Sequence, residues 1–192
     1  NVMGLWVLNE AVRAWHDQGL EIALPEADAA AAAAEPLRTV IDINDATFYS
    51  PGDMAARIDE AAYATGQPRP RDIGEYVRCI NDSLALAYRR AVRQAVELSG
   101  REVKVLHIVG GGIRNRLLCQ LAADATVLPV LAGPAEGTAL GNVVVAARGA
   151  GVIEGDLGDL RHLIRTSSRL TRYAPDLGAS SDWDAIERRL FG

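Results

Sequence analysis

The residues His107-Ile108-Val109-Gly110-Gly111-Gly112-Ile113-Arg114-Asn115 place three glycines between an apolar run and a helix-like segment. Without Cβ atoms, that loop lets a phosphate or a flat ligand approach its backbone closely. The helix behind it adds unpaired N–H groups and the positive end of its dipole. Together these features predict a nucleotide site. It is not a Walker A loop, because no Gly-Lys-Ser or Gly-Lys-Thr occurs and Lys104 is the single lysine. It is not the dinucleotide fingerprint either, whose third glycine is missing at the required spacing, and this disfavours a Rossmann oxidoreductase. On spacing alone, a tight turn with close packing explains the triplet as well.

Two weaker signals accompany it. Residues 133–142 form a helix-like stretch rich in Gly and Ala, ahead of which stand Gly133, Pro134 and Glu136. Such a helix gives up propensity, and its bland explanation is close approach of another backbone, with Glu136 complementing the helix dipole. Asn1 and Asn9 are a little over two helical turns apart, on roughly one face and about 12 Å from one another; solvated amides are the simple account. His16, His107 and His162 are scattered, and no His-Glu-x-x-His, cysteine cluster or Gly-x-Ser-x-Gly is present, so no metal centre or triad is expected. His107, inside a predicted strand, reads as a structural residue. Asp45, Asp53 and Asp124 are the tempting bases, yet the first two sit among turn formers and the third ends a helix. Cys79 and Cys119 read as reduced core thiols.

The elements that must position these residues follow from periodicity and punctuation. Apolar residues at helical spacing predict a helix over 3–18, with Trp6 and Trp15 in the core. The alanine-rich stretch 27–34 predicts a short helix. Residues 39–43 read as extended, 44–54 as an ordered loop, and 53–65 as a helix started by Asp53 or by Ser50 with Pro51. A long helix starts at Asp72, with Glu75 completing a capping-box pair. Its stripe of Ile73, Val77, Ile80, Leu84, Ala87, Ala91, Ala95 and Leu98 predicts burial over about seven turns up to Gly100. Arg78, Arg89, Arg90 and Arg93 form its wet face. Residues 103–109 and 126–131 read as strands, 114–125 and 135–148 as helices, the last with Pro134 at its first position. Two strands joined by a helix should be parallel. Beyond Gly151 only helices near 157–165 and 182–191 are expected. The domain reading is a lobe over 1–175, with a β-GGG-α-β-α core at 103–150, and a tail helix over 176–192.

The chain has 192 residues, 49% apolar and 23% charged, enough for one ordinary domain or one lobe of a larger protein. A net charge of −5 argues against gripping nucleic acid or an anionic membrane. No run approaches a transmembrane span and no signal peptide is visible. The chain begins at Asn1 and enters an apolar helix pattern directly, which suggests a fragment of a longer chain.

With these segments in place, the sequence resembles the C-terminal part of an FGGY-type carbohydrate kinase, within that family its rhamnulokinases. The resemblance runs through Asn1-Val2-Met3-Gly4-Leu5-Trp6, Asn44-Asp45 with Phe48, Pro51 and Met54, Cys79-Ile80-Asn81-Asp82-Ser83-Leu84-Ala85, the Gly triplet to Asn115, and Ala132-Gly133-Pro134 to Leu140-Gly141-Asn142. It implies an α/β, helix-rich C-terminal lobe of the actin-like, RNase H-like ATPase fold, lacking its first strands. It implies transfer of the ATP γ-phosphate to the 1-hydroxyl of L-rhamnulose with Mg²⁺, in the cytoplasm. By the same matching Gly111, Gly110, Gly112 and Asn115 fall on the ATP-binding loop, Asn9 on an ATP contact where relatives carry Gln, and Asn1 on a sugar contact. The family's catalytic aspartate and most of its Mg²⁺ site belong to another lobe, so the 192 residues alone are expected to be inactive. They are also expected to self-associate through surface which that lobe covers. The alternative is a non-catalytic nucleotide-binding or interaction module of the same fold.

Overall fold

The computed structural model describes residue 2 and residues 4–192. Its elements are α1 (Trp6–Asp17), α2 (Leu24–Ala33), α3 (Met54–Ala64), α4 (Ile73–Ser99), β1 (Leu106–Ile108), α5 (Arg116–Thr126), β2 (Val130–Ala132), α6 (Gly137–Gly149), α7 (Leu157–Ser167), β3 (Thr171–Tyr173) and α8 (Ser180–Phe191). Short 3₁₀ turns occupy Ala46–Phe48, Gly110–Arg114 and Leu177–Ala179.

The long helix α4 is the axis on which the rest is hung. Asp72 caps it by accepting from the Glu75 N–H at 2.9 Å. The expected capping box closes one residue further out, since the Glu75 carboxylate accepts from the Arg71 N–H at 2.8 Å. Gly100 ends the helix in the left-handed region, φ 64°. Val77, Ile80, Leu84 and Ala87 are buried. The stripe does not continue for seven turns: the helix outruns its packing, and Leu98 is 89% exposed.

The wet face is also different from expectation. Arg78 and Arg89 are 7% and 3% exposed. Arg78 Nε donates to the Asp82 carboxylate one turn on, at 2.9 Å. Arg89 donates to Glu187 at 3.1 Å, to the Ala125 carbonyl and to Asp184. Arg93 reaches the same two acids at 2.8 and 3.0 Å, and Arg90 lies 3.4 Å from the centre of the Phe191 ring. Arg89, Arg90 and Arg93 are where α8 docks with its acidic residues, whereas Arg78 serves its own helix.

The main core lies where α1, α2, α3 and the 46–48 turn meet α4, around Trp15, Phe48, Met54, Ile58 and Ile80. Trp15 is buried as expected, whereas Trp6 stays partly exposed and donates its indole N–H to the Phe48 carbonyl at 3.0 Å. Helices α2 and α4 approach so closely at Gly74 that a Cβ there would stand 2.8 Å from the Ala30 Cβ. A second cluster under α8 gathers Val40, Leu86, Leu121 and Trp183.

Residues 39–43, all buried except the half-buried Asp42, join no sheet. Side chains take the place of a neighbouring strand: the Val40 N–H donates to Gln67 Oε1 at 2.9 Å and the Ile41 N–H to Ser83 Oγ at 3.0 Å. Asp53 caps α3 through the Ala56 N–H at 3.0 Å. Both cysteines are free and buried.

The sheet has the order β1-β2-β3. Strands β1 and β2 are parallel, with His107 opposite Leu131, as the α5 crossover requires. Strand β3, which the polar sequence after Gly151 does not announce, adds antiparallel to β2 with Leu131 opposite Arg172. The expected strands shrink to three residues each, and β2 starts late because α5 runs on to Thr126 and Val127 ends it at φ 58°. Helix α6 starts three residues later than Pro134, whose carbonyl instead accepts from the Gly110 N–H at 3.1 Å. No residue of α6 is buried, and a Cβ at Gly141 or Gly149 would meet nothing within 4 Å, so of its glycines only Gly137 lies close to another segment. Among the described residues no helix is long and apolar enough to cross a membrane.

Candidate functional site

The Gly triplet forms the 3₁₀ turn Gly110–Arg114, directly between β1 and α5. Gly110 has φ 78°, a conformation that disfavours any residue with a Cβ. Its N–H is tied to the Pro134 carbonyl, and the Gly133 N–H donates back to the Ile108 carbonyl at 2.8 Å. Gly137 lies against Val109, where a Cβ would stand 3.4 Å from the Val109 Cβ. The two glycine-rich stretches of the sequence are therefore one place in the structure, the turn after β1 resting on the loop that leads to α6. Gly111 is exposed, and a Cβ built on it would meet nothing within 4 Å. The open side of the turn is thus available to a ligand.

Asn115 holds the turn from behind. Its Oδ1 caps α5 by accepting from the Leu118 N–H at 2.8 Å, and its Nδ2 donates to Asn81 Oδ1 at 2.9 Å. Its own N–H closes the turn on the Gly112 carbonyl at 3.2 Å. Asn81 lies in α4 with 0% exposure, and its Nδ2 has no hydrogen-bond partner. Beneath the turn, Cys119 Sγ is 3.8 Å from the Gly112 carbonyl. Burial pushes this thiol up to about 11, so it stays protonated and is no nucleophile at neutral pH.

The other anticipated residues that the structure describes lie on other elements. Asn9 is on the exposed face of α1, opposite the buried Val7, Leu8 and Ala11. Asn1 lies outside the described residues. His107 is exposed at the middle of β1 rather than enclosed in structure. Asp45 caps the 46–48 turn through the Thr47 N–H at 2.8 Å. Asp124 receives the Gln120 side chain and the Asp176 N–H, both at 2.8 Å. Asp53 is a cap as well. Each of the three candidate bases is thus engaged in holding local structure. Glu136 sits at the N-cap position of α6 and makes no capping hydrogen bond.

Sequence reasoning assigned no role to Asn81, although a signal was present. Asn81, Asp82 and Ser83 are three consecutive polar residues within an otherwise apolar stretch of α4, and all are at most 1% exposed. Buried polar side chains need partners, and these three point to three different places. Asn81 meets the Gly turn, Asp82 accepts from Arg78 and from the Leu37 N–H at 2.8 Å, and Ser83 accepts from the Ile41 N–H. Burial pushes the Asp82 carboxyl up to about 6, against the opposing pull of Arg78. Among the described residues no three or more His, Cys, Asp or Glu side chains come together to hold a metal.

The model of the FGGY family of carbohydrate kinases, C-terminal domain, matches residues 1–150. The rhamnulokinase of Bacteroides thetaiotaomicron is 41% identical over 186 residues, covering 96% of this chain and 37% of that protein. The chain thus spans little more than a third of the length of this relative. Among solved structures, the xylulose kinase of Rhodospirillum rubrum superimposes with a TM-score of 0.66 at 23% identity, over 96% of this chain and 36% of that one. The glycerol kinase of Plasmodium falciparum, solved with ADP, gives 0.63 at 19% identity, over 96% and 37%.

Proposed function

Because the chain belongs to the FGGY family of carbohydrate kinases through that family's C-terminal domain, we propose that it carries half of the ATP site of a sugar kinase whose acceptor is the 1-hydroxyl of L-rhamnulose. Its fold is that of the C-terminal lobe of the actin-like, RNase H-like ATPase fold. The observation that carries the proposal is the Gly111 backbone, held open between β1 and α5 with nothing in front of it.

In this reading Gly110, Gly111 and Gly112 receive the nucleotide, with backbone N–H groups and the start of α5 favouring negative charge. Asn115 keeps the turn in shape from its capping position, Asn9 approaches the nucleotide from α1, and Asn1 contacts the sugar. The choice of L-rhamnulose is supported by the 41% identity to a rhamnulokinase. Phosphoryl transfer depends on positioning and charge stabilisation, and the base and most Mg²⁺ contacts come from a lobe outside these residues, in the cytoplasmic enzyme. The engagement of Asp45, Asp53 and Asp124 in caps and tethers supports a base located elsewhere.

Two measurements test this. Residues 1–192 with Mg-ATP should form no L-rhamnulose-dependent ADP, since a positioned base alone is worth about 10²–10⁴ in rate. Addition of the family's N-terminal lobe on the same chain should restore turnover. ADP should bind the 192 residues weakly, about millimolar, and Gly111→Val should abolish that binding. The open space at Gly111 lets the protein itself accept the new side chain, so lost binding reports on the ligand. Turnover by residues 1–192, or unchanged ADP affinity in the Gly111→Val variant, would overturn the reading.

A further inference from the structure

Asn81 is at odds with its surroundings. It is fully buried in α4, whose other buried residues near it include Val77, Ile80 and Leu84. Its Oδ1 accepts from Asn115 Nδ2 at 2.9 Å. Its own Nδ2 has no hydrogen-bond partner among the described residues. A buried donor left unpaired costs more than one such bond returns, so a helix built for stability alone would carry an apolar side chain here.

The one contact that Asn81 makes is with the residue that shapes the Gly turn. Asn115 is engaged three times: its Oδ1 caps α5 at Leu118, its N–H closes the turn on the Gly112 carbonyl, and its Nδ2 goes to Asn81. The first two bonds are local. The third ties both to α4, 34 residues earlier in the chain. Without it, Nδ2 of the buried Asn115 is an orphan, and the amide must turn to find a partner, which takes Oδ1 away from the Leu118 N–H. The turn then samples other shapes. A ligand that needs one shape binds in proportion to the fraction of molecules holding it. We propose that Asn81 is a positioning residue of the nucleotide site, kept at a cost to stability because it fixes Asn115, and through it the Gly110–Arg114 turn, in the shape that binds. The proposal rests on the nucleotide reading of the turn and adds to it the residue of α4 on which its affinity depends. Ser83 supplies the contrast. It is buried in the same turn of α4, but it accepts from the Ile41 N–H and donates to the Cys79 carbonyl, neither of which belongs to the Gly turn.

The test is NMR titration of the protein with ADP, beside urea unfolding, for Asn81→Leu, Asn81→Asp, Ser83→Ala and Gly111→Val. Asn81→Leu removes one orphaned amide and creates another at Asn115, so its urea midpoint should match or exceed that of the wild type. Its ADP affinity should nevertheless fall about tenfold, the worth of one hydrogen bond. With no nucleotide present, hydrogen exchange of the Asn115 and Leu118 amides should quicken by a similar factor. Asn81→Asp keeps an acceptor for Asn115 Nδ2 and should recover ADP affinity to within about threefold of the wild type. Ser83→Ala leaves the Ile41 N–H unpaired, so it should lower the midpoint and keep ADP affinity within about twofold. If Asn81→Leu behaves as Ser83→Ala does, or does not fold, Asn81 is a stabilising residue and the proposal is overturned. A loss of ADP affinity that Asn81→Asp does not recover overturns it as well. If Gly111→Val weakens ADP and Asn81→Leu does not, the turn keeps its nucleotide and only the role of Asn81 falls. If Gly111→Val changes nothing, the nucleotide reading falls first and the role of Asn81 falls with it.

Discussion

Gly74→Ala should destabilise the protein even though alanine is the better helix former. The added Cβ would stand 2.8 Å from the Ala30 Cβ, 3.0 Å from the Ala30 carbonyl carbon and 3.2 Å from its oxygen. Comfortable carbon–carbon contact is about 3.5–4.0 Å, so α2 must retreat from α4 by close to 1 Å. Two of the three clashing atoms are backbone, which leaves no rotamer to absorb the strain. Overpacking of this kind costs about 1–3 kcal/mol. The opposing gain in helix propensity is at most about 1 kcal/mol and smaller here, since Gly74 is only the second residue of α4. The net expectation is a loss of about 1–2 kcal/mol, read from urea midpoints at unchanged slope. Ala30→Gly in the same chain removes the nearest of the three contacts while the two backbone ones remain, so it relieves the strain in part, and the pair should show a coupling of about 0.5–1 kcal/mol in a double-mutant cycle. A Gly74→Ala variant as stable as the wild type, or additive effects in the pair, would refute the argument that this contact sets the distance between the helices.

Arg89→Met should cost about 2 kcal/mol, less than a fully buried pair because Asp184 and Glu187 remain partly hydrated and keep Arg93; Arg93→Met, half-exposed with the same partners, should cost under about 0.5 kcal/mol, both read from urea unfolding. Glu10 is held down to about 2 by Arg13 and the Gly52 N–H, from an ordinary value of 4.5. Its contribution is therefore complete above pH 4.5 and lost as the pH falls towards 2, and thermal melts of Glu10→Gln should be flatter than the wild type in that window. The 192 residues should form dimers or larger species at about 100 µM in sedimentation, where contacts of about 6 kcal/mol are populated, through apolar surface such as Val143 and Val145 of α6; a clean monomer at that concentration contradicts this.

What could be read from the sequence was what local physics decides. Helix α4 is announced by its caps and by the spacing of Val77, Ile80 and Leu84, and the turn after β1 by three glycines that no regular element would choose. Readings that required a distant partner failed. Arg89 looks solvated until α8, nearly a hundred residues later, lays Asp184 and Glu187 over it. Residues 39–43 have the β-branched character of a strand, yet side chains of Gln67 and Ser83 take the Val40 and Ile41 N–H groups and no sheet forms. Strand β3 is three residues long and exists only because β2 offers it an edge.

The step Asn81-Asp82-Ser83 shows why a polar run inside a buried helix should be read as a statement about loops. Successive residues of a helix point about 100° apart, so one turn of α4 sends a carboxamide to the Gly turn, a carboxylate to Leu37 and a hydroxyl to Ile41. Each ties down a segment that has no sheet or helix of its own to hold it. The arrangement is not free: the Asn81 Nδ2 stays buried without a partner, at a cost of about 1–3 kcal/mol. Turning the Asn81 amide over would not help, because it would set two NH₂ groups face to face while Asn115 Oδ1 remains committed to capping α5. The orientation of the whole chain of contacts, Leu118 N–H to Asn115 to Asn81, is therefore dictated from the helix end. The Gly turn is rigidly placed on α4 and α5, while its outer side at Gly111 remains empty. A loop fixed from behind and open in front is the arrangement that receiving a nucleotide on backbone N–H groups requires.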